Sequence, residues 1–366
     1  MKTASIFTFQ WSDNFGTVLQ AYALQEAIRS LGVEADIVPL TPDTQCGIRR
    51  FIARTPKALL IKWTRLLASW ERDRRAKFNS FRLKFFTYES KGRLSFKRCT
   101  THHFLADYLI FGSDNIWAPD VVQIGQAQGN VFYGKSICHP NKIAYAPSTA
   151  GTLADSRHRN RVIEDIRSAG FSAISLRERE NVEFFAEHGI DAQLVPDPSL
   201  LLDADTWGAV LDDSLCPESS YYFGYDLGHR NEETVSQVID SLCAKDGSHK
   251  LVCYPNDWER TLHKGVAPSP QQWLALIGKA KGIVTNSFHG VMFSIIFNRP
   301  FVFLPIVGEY ATLNVRARGI LDELNAQSHI WTRGCTLASM MATPIDGEVV
   351  QRFRRLGLDY LKRSFK

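Results

Sequence analysis

At 366 residues the chain is too long for one ordinary domain, and at about 150 residues per domain it divides into two. Hydrophobic residues make up 45% and aromatics 11%, enough to fill two cores, which excludes a disordered or collagen-like chain. The net charge of +5 hides an imbalance: residues 49–98 hold 16 Lys and Arg against 3 Asp and Glu, a local +13 that leaves −8 for the rest. An anionic partner is expected for that block alone.

Residues 5–9 are apolar and β-prone, and Asn14-Phe15-Gly16 then opens a helical pattern. Val18, Leu19, Tyr22, Ala23, Leu24, Ala27, Ile28 and Leu31 recur near a period of 3.6, and Gly32 closes the helix. Further strands are expected at 35–38, 108–111, 142–146, 173–176 and 192–195, with a helix at 178–188. Strands separated by helices imply parallel pairing and a doubly wound sheet, with functional groups at the carboxyl ends of strands. After a polar crossover at 203–220, a second unit alternates strand 221–225, helix 232–244, strand 251–254 and helix 270–280. Strand 282–285, helix 289–297 and strand 301–304 follow, and a last helical stretch at 347–362 can pack back across the first unit. The expected domains are therefore 1–205, carrying a basic amphipathic insertion at 47–98, then 218–345, then a C-terminal helix at 346–366.

Within residues 49–86, Phe51, Ile52, Leu59, Leu60, Trp63, Leu66, Leu67, Trp70, Phe78, Phe81 and Phe85 interleave with Arg and Lys. Such a segment can lay an apolar face into a headgroup layer while its cations meet anionic lipid. It can equally be a helical pair covering the sheet with a solvated basic face. No nucleic-acid module surrounds it, so no nucleic acid is expected as partner.

Seven cysteines stand at 46, 99, 138, 216, 243, 253 and 335, with no CxxC, which argues against a disulfide framework or zinc ribbon and for a reducing cytosol. Residues 1–7 run straight into a strand-like segment, so no signal peptide is expected. The longest uncharged apolar stretch, 282–298, carries Asn286, Ser287 and His289 and is too polar for a bilayer span. A cytoplasmic chain, at most peripheral on the inner face of the plasma membrane, is the expectation.

Candidate chemistry lies at strand ends. Asn286, Ser287, His289 and Gly290 follow the strand at 282–285 and open a helix whose amide groups and dipole can receive an anion. His289 titrates near neutrality and can transfer a proton, though a histidine capping a buried helix is the bland alternative. Gly112-Ser113-Asp114-Asn115-Ile116-Trp117 offers hydrogen-bonding groups for sugar hydroxyls and, in Trp117, a face for a pyranose ring; it can also be a plain turn with Asp as helix cap. Asp13-Asn14-Phe15-Gly16-Thr17 lacks the GxGxxG pattern, which excludes a nicotinamide or flavin fingerprint. Arg177, just past a strand end, suits a carboxylate or phosphate. Asp197, between two prolines, is either structural or aimed into the cleft, and Glu309 in the Pro-Ile-Val-Gly-Glu-Tyr segment is the best carboxylate partner for His289. No clustered His, Cys or Asp spacing demands a metal.

Taken together, Asn14-Phe15-Gly16 with Gln20-Ala21-Tyr22-Ala23-Leu24-Gln25, Gly112-Ser113-Asp114-Asn115-Ile116-Trp117, Tyr145-Ala146-Pro147-Ser148, Ser175-Leu176-Arg177-Glu178, Asp197-Pro198-Ser199-Leu200 and Ser287-Phe288-His289-Gly290 resemble the polysaccharide pyruvyl transferase family. The ordered motifs run from residue 14 to about 320. The resemblance implies an α/β fold of two Rossmann-like domains facing a cleft, as in GT-B glycosyltransferases, with the acceptor on the first domain and the donor on the second. It implies phosphoenolpyruvate as co-substrate, no other cofactor, and a sugar of a surface polysaccharide or lipid-linked glycan as acceptor, joined as a pyruvate ketal.

By the resemblance, His289 is the acid/base and Arg177 a donor contact. Several family members have Arg-Leu-His-Gly where this chain has Ser287-Phe288-His289-Gly290; either Arg177, Arg316 or Arg318 replaces that charge, or the donor differs. The expected site then has His289, Glu309 and Asp114 for proton transfer. Arg177, Asn286, Ser287, Gly290, Arg316 and Arg318 face the donor, and Asn14, Phe15, Gly16, Ser113, Asp114, Asn115 and Trp117 face the acceptor. Two other classes stay open: a GT-B-type glycosyltransferase using a nucleotide sugar, and a non-catalytic subunit of a glycan-assembly complex.

Overall fold

The computed structural model describes residues 1–41, 57–90, 92–118, 131–151, 156–228, 230–255, 267–332 and 337–366. The side chains of residues 57–69, 156–158, 309 and 337–339, with Cys46, Cys335 and the N-terminal part of the basic block, lie outside the described residues. Two parallel sheets carry the fold. The first contains β1 (Thr3–Phe7), β2 (Glu34–Ile37), β5 (Tyr108–Phe111), β6 (Lys142–Ala144), β7 (Ala173–Leu176) and β8 (Gln193–Leu194) in the order β2-β1-β5-β6-β7-β8. The second contains β9 (Tyr221–Tyr225), β10 (His249–Cys253), β11 (Gly282–Thr285) and β12 (Phe301–Phe303) in the order β10-β9-β11-β12. A short pair, β3 (Leu40–Thr41) with β4 (Leu94–Ser95), sits beside the first sheet.

Both sheets are doubly wound. Strand order reverses between β1 and β5 in one and between β9 and β11 in the other. Crevices outside the carboxyl ends of strands at such reversals are where open α/β sheets bind ligands. The segments leaving those four strands are residues 8–14, which lead into the helix at Phe15, then Gly112–Asn115, Asp226–Leu227 and Asn286–Ser287, so the motifs sit where the topology puts ligands.

The helix Phe15–Ser30 starts at Asn14, whose side chain accepts from the Thr17 amide, and it is buried on nearly every face. Its apolar period was legible, but its burial is a tertiary effect: the first sheet, Phe78 and Phe81 of a long helix, and Trp273 of the helix Pro270–Gly278 surround it. The Phe15 ring stacks on Trp273 at 5.1 Å and 2°, joining the two halves in one hydrophobic core. The C-terminal helix Gly347–Ser364 lies on the first half: Arg354 Nε donates to Leu200 O at 2.7 Å and the Tyr360 hydroxyl to Ala144 O at 2.9 Å.

Among the described residues of the 49–86 segment, one helix, Lys57–Phe85, stands where a helical pair was expected. From residue 70 on, its aromatic side chains are packed on protein, while Leu83 is exposed. Trp70, Phe78 and Phe81 are buried, and Phe81 and Phe85 pack edge-on against Tyr22. Arg82, expected on a solvated face, is buried and donates to Gln10 O, Ser12 O and Asp13. The polar crossover contains a short helix, Ala204–Gly208, because Asp203 caps it and Trp207 is buried beneath. Among the described residues no helix is long and apolar enough to cross a membrane.

Candidate active site

Gly16 sets the geometry of the cleft. A Cβ at this position would lie 2.0 Å from Nδ1 of His289, so only glycine lets the start of the first helix meet the imidazole of the opposite half. One residue on, the Thr17 hydroxyl donates to Asp114 at 2.7 Å. Gln20, fully buried, donates to Thr8 and accepts from the Ser113 amide at 3.3 Å, tying this helix to the turn after β5. Asp114 sits in the left-handed region, φ 69°, an uncommon backbone for a residue with a side chain. That conformation turns its carboxylate toward the cations of the cleft.

Arg177 is buried at the end of β7 among three carboxylates. It reaches Asp197 at 2.6 Å, Glu178 at 3.2 Å and Asp114 at 3.8 Å, and it donates to Asn115 at 3.2 Å. Asp197 is fixed in turn by the Ser199 amide and hydroxyl at 3.0 and 2.8 Å. Arg316, from the second half, donates to the same Asn115 oxygen at 3.2 Å, while its Nε is buried without a partner. Both guanidinium groups lie over the Phe288 ring, Arg177 at 5.0 Å and Arg316 at 5.7 Å. Two of the three candidate arginines thus meet beside the residue preceding His289. Arg318 does not; it is exposed.

His289 is 7% exposed, and its Nε2 is buried without a hydrogen bond, 3.8 Å from Asp197. Burial pushes the imidazole below its ordinary pKa; Asp197 and Asp114 pull the other way, and Arg177 and Arg316 reinforce the depression. Asp114 shows the opposite balance. Burial alone would raise its carboxyl, but Arg177, His289, Arg316 and the Thr17 hydroxyl outweigh it and hold the group below the usual carboxylate range. Beside Arg177, Asp197, Phe288, Arg316 and Glu323 the remaining cavity is about 10 Å³, the space of roughly one water molecule. A bidentate pair across the cleft, Arg179 to Glu323 at 2.7 and 2.8 Å, closes its rim.

The start of the helix Phe288–Ile296 differs from the open anion site expected from sequence. Ser287 caps it, taking the Gly290 amide at 3.4 Å, so that amide is already engaged. Gly290 is required by packing, since a Cβ there would lie 2.5 Å from the Thr285 hydroxyl. Asn286 is buried and holds the loop after β9, accepting from the Leu227 amide at 2.7 Å and donating to Asp226 and Asn231.

A family described as polysaccharide pyruvyl transferase matches residues 14–306. The chain belongs to that family. No curated protein matches it. Among solved structures, the UDP-GlcNAc 2-epimerase from Methanocaldococcus jannaschii is similar at 10% identity and TM-score 0.50, covering 97% of this chain and 99% of that one. The UDP-GlcNAc 2-epimerase from Neisseria meningitidis bound to UDP-GlcNAc gives 9% and 0.49 over 100% and 94%. The calicheamicin glycosyltransferase CalG4 gives 11% and 0.45 over 100% and 95%. At such identities the likeness is one of fold: two Rossmann-like units facing a cleft, GT-B-like.

The family match ends at residue 306, so it covers Gly16, Asp114, Arg177, Asp197 and His289 but not Arg316. Within the span, several expected acceptor contacts have other employment. Trp117 is fully buried, stacked near Tyr133 and Phe185, with its indole donating to Phe132 O at 3.0 Å; no face is left for a sugar ring. Ser113 is buried and donates to Ala146 O, and Phe15 belongs to the core between the halves. Asn14 caps its helix, though Asn14 and Phe15 also line a cavity of about 290 Å³. The side chain of Glu309 lies outside the described residues. Thr17 and Gln20 stand in the sequence motifs without an assigned role, because helix residues give no sign of which loop they will meet.

Proposed function

We propose that the chain transfers the pyruvyl group of phosphoenolpyruvate to two hydroxyls of one sugar in a surface polysaccharide or lipid-linked glycan, forming a pyruvate ketal. Family membership supports the reaction class. The observation that carries the residue assignment is the buried, unpartnered Nε2 of His289, beside two guanidinium groups that share the Phe288 ring.

In the free cleft the imidazole is neutral at pH 7. An anionic donor, held through Arg177 and the unpaired Nε of Arg316, adds negative charge within a site of low dielectric and raises the imidazole pKa. Protonated His289 then gives its proton to the donor's methylene carbon. Positive charge grows on the central carbon, where fixed charges such as Asp114 stabilise it without reorganisation. One sugar hydroxyl adds to that carbon, the carbon–oxygen bond to phosphate breaks, and a second hydroxyl closes the ketal. Of the two hydroxyl protons, one restores His289 by way of Asp114 or Glu309 and the other leaves with phosphate. Asp114, held ionised, serves better as a charge than as a strong base.

Ligand-induced stabilisation tests the donor. A donor at 100 times its dissociation constant adds about 2.7 kcal/mol. Phosphoenolpyruvate is expected to raise the unfolding midpoint and UDP-GlcNAc to leave it unchanged; the reverse result assigns the cleft to a nucleotide-sugar glycosyltransferase. Release of orthophosphate together with a new ketal methyl signal on a pyruvate-free glycan completes the test, and a glycan that gains no ketal contradicts the reading.

A further inference from the structure

The turn that meets His289 at Gly16 also lines a second and larger cavity, about 290 Å³, through Asn14 and Phe15. Its other walls come from Tyr225 and Leu227 at the end of β9 and from Arg74 on the long helix of the basic block. That volume is near the lower end of small-molecule sites. We infer that this cavity receives a sugar bearing a phosphate or a carboxylate, with Arg74 recognising its negative charge. The inference rests on the proposed function in one respect, that the sugar belongs to the acceptor.

Arg74 is held for this task. Its guanidinium lies 5.7 Å from the Trp70 ring and 5.5 Å from the Phe78 ring, and one terminal nitrogen donates to the Asp13 carbonyl. Its Nε is buried with no acceptor. Trp70, one helical turn before Arg74, and Trp273, whose ring stacks on Phe15 and meets Tyr225 edge-on at 5.0 Å, are buried behind the wall and brace it without lining the cavity. The carboxylate in the wall does not cancel Arg74, because Asp13 is taken by Arg82 at 2.8 Å and approached by Arg75 at 3.8 Å. Arg74 is the cation in the lining of the cavity, so an anionic group entering it meets the guanidinium. A planar guanidinium braced by two rings fits a phosphate or carboxylate better than a lone hydroxyl.

Calorimetric titration of the full chain with N-acetylglucosamine 1-phosphate, glucuronic acid and methyl glucoside tests the site. At least one charged sugar is expected to bind ten-fold or more tightly than the neutral one. Arg74→Met is expected to weaken the charged sugar at least ten-fold and leave methyl glucoside unchanged, with Arg74→Lys in between. Preference for the phosphate alone points to a sugar phosphate in the acceptor, and preference for the carboxylate alone to a uronic acid. Equal affinity for all three sugars, or unchanged affinity in a folded Arg74→Met, overturns the inference. Should the methionine variant fail to fold, Arg74→Lys decides: it keeps the charge but not the planar fork, and unchanged affinity there also overturns the site. None of these titrations contains phosphoenolpyruvate. Absent pyruvyl transfer with this binding pattern intact would overturn the function and spare the site; the opposite result would overturn the site alone.

Discussion

Two cavities, one beside Arg177 and Arg316 and one beside Arg74, differ in what their polar atoms lack. Around Arg177 and Arg316 the space is that of one water molecule; Arg177 is already paired with its carboxylates and Arg316 donates to Asn115, leaving two nitrogens, His289 Nε2 and Arg316 Nε, without partners. Around Arg74 the space is about 290 Å³, and the guanidinium, whose Nε lacks an acceptor, lines it. The first is a preorganised charge cluster that must open to admit a donor; the second is a standing receptacle. A site for chemistry and a site for recognition can thus be told apart by which hydrogen bonds the protein has already made.

The largest expected effect comes from the paired side. Arg177→Met leaves Asp197 and Glu178 buried without their cation, and breaking a buried ion pair from one side costs about 3–5 kcal/mol. Urea unfolding reads this directly; a loss below about 1 kcal/mol would show that the cluster is wetter and looser than the geometry indicates. His289→Ala should keep the fold and lower the rate of phosphate release by about 10²–10⁴, the usual worth of a general acid. Gly16→Ala comes next. Its new methyl must push the imidazole aside, and a displacement of about 1 Å can cost roughly 10²-fold in rate. Unchanged turnover in that variant would show that the ring position does not matter.

A smaller effect separates the two sides by pH. The folded chain takes up the His289 proton at lower pH than the unfolded chain, because burial depresses the group. The stability tied to this group is therefore whole above about pH 6.5, its unfolded value, and is lost as pH falls toward the lower folded value. Wild type minus His289→Gln should show a difference slope of at most about 1.4 kcal/mol per pH unit in that window. Arg74→Met minus wild type should show none. The smallest test concerns the N-terminal half of the basic helix: vesicles with anionic lipid should bind the chain weakly and release it as salt rises. Salt-independent binding, or none, leaves the whole segment as a protein-packing element.

Much of this arrangement was legible in the chain. Alternating strands and helices gave both sheets, and motifs placed at strand ends fell at the two topological reversals. Residues in turns were readable because the turn itself constrains them: Gly16, Asp114 and His289 each sit where the backbone changes direction. Trp117 was misread because its motif neighbours face the cleft while its own ring closes a core, and no local pattern distinguishes those two fates. Arg74 was not legible at all. Its role depends on how a 29-residue helix docks against the turn after β1, and that docking is set by Phe78, Phe81 and Arg82 meeting partners some 50 to 70 residues away. Gly290 was read as an anion contact when its small size serves strand–helix packing; the two demands leave the same residue in the sequence.

The proton on His289 is the point on which the proposed reaction turns. An NMR titration of the imidazole, assigned by its loss in His289→Gln, measures it with and without saturating phosphoenolpyruvate. The expected result is a pKa below the ordinary histidine value in the free chain and above it in the complex, so that the donor creates the acid that protonates it. A pKa that does not move when the donor binds, or a donor that does not bind while the ring titrates freely, would contradict the assignment.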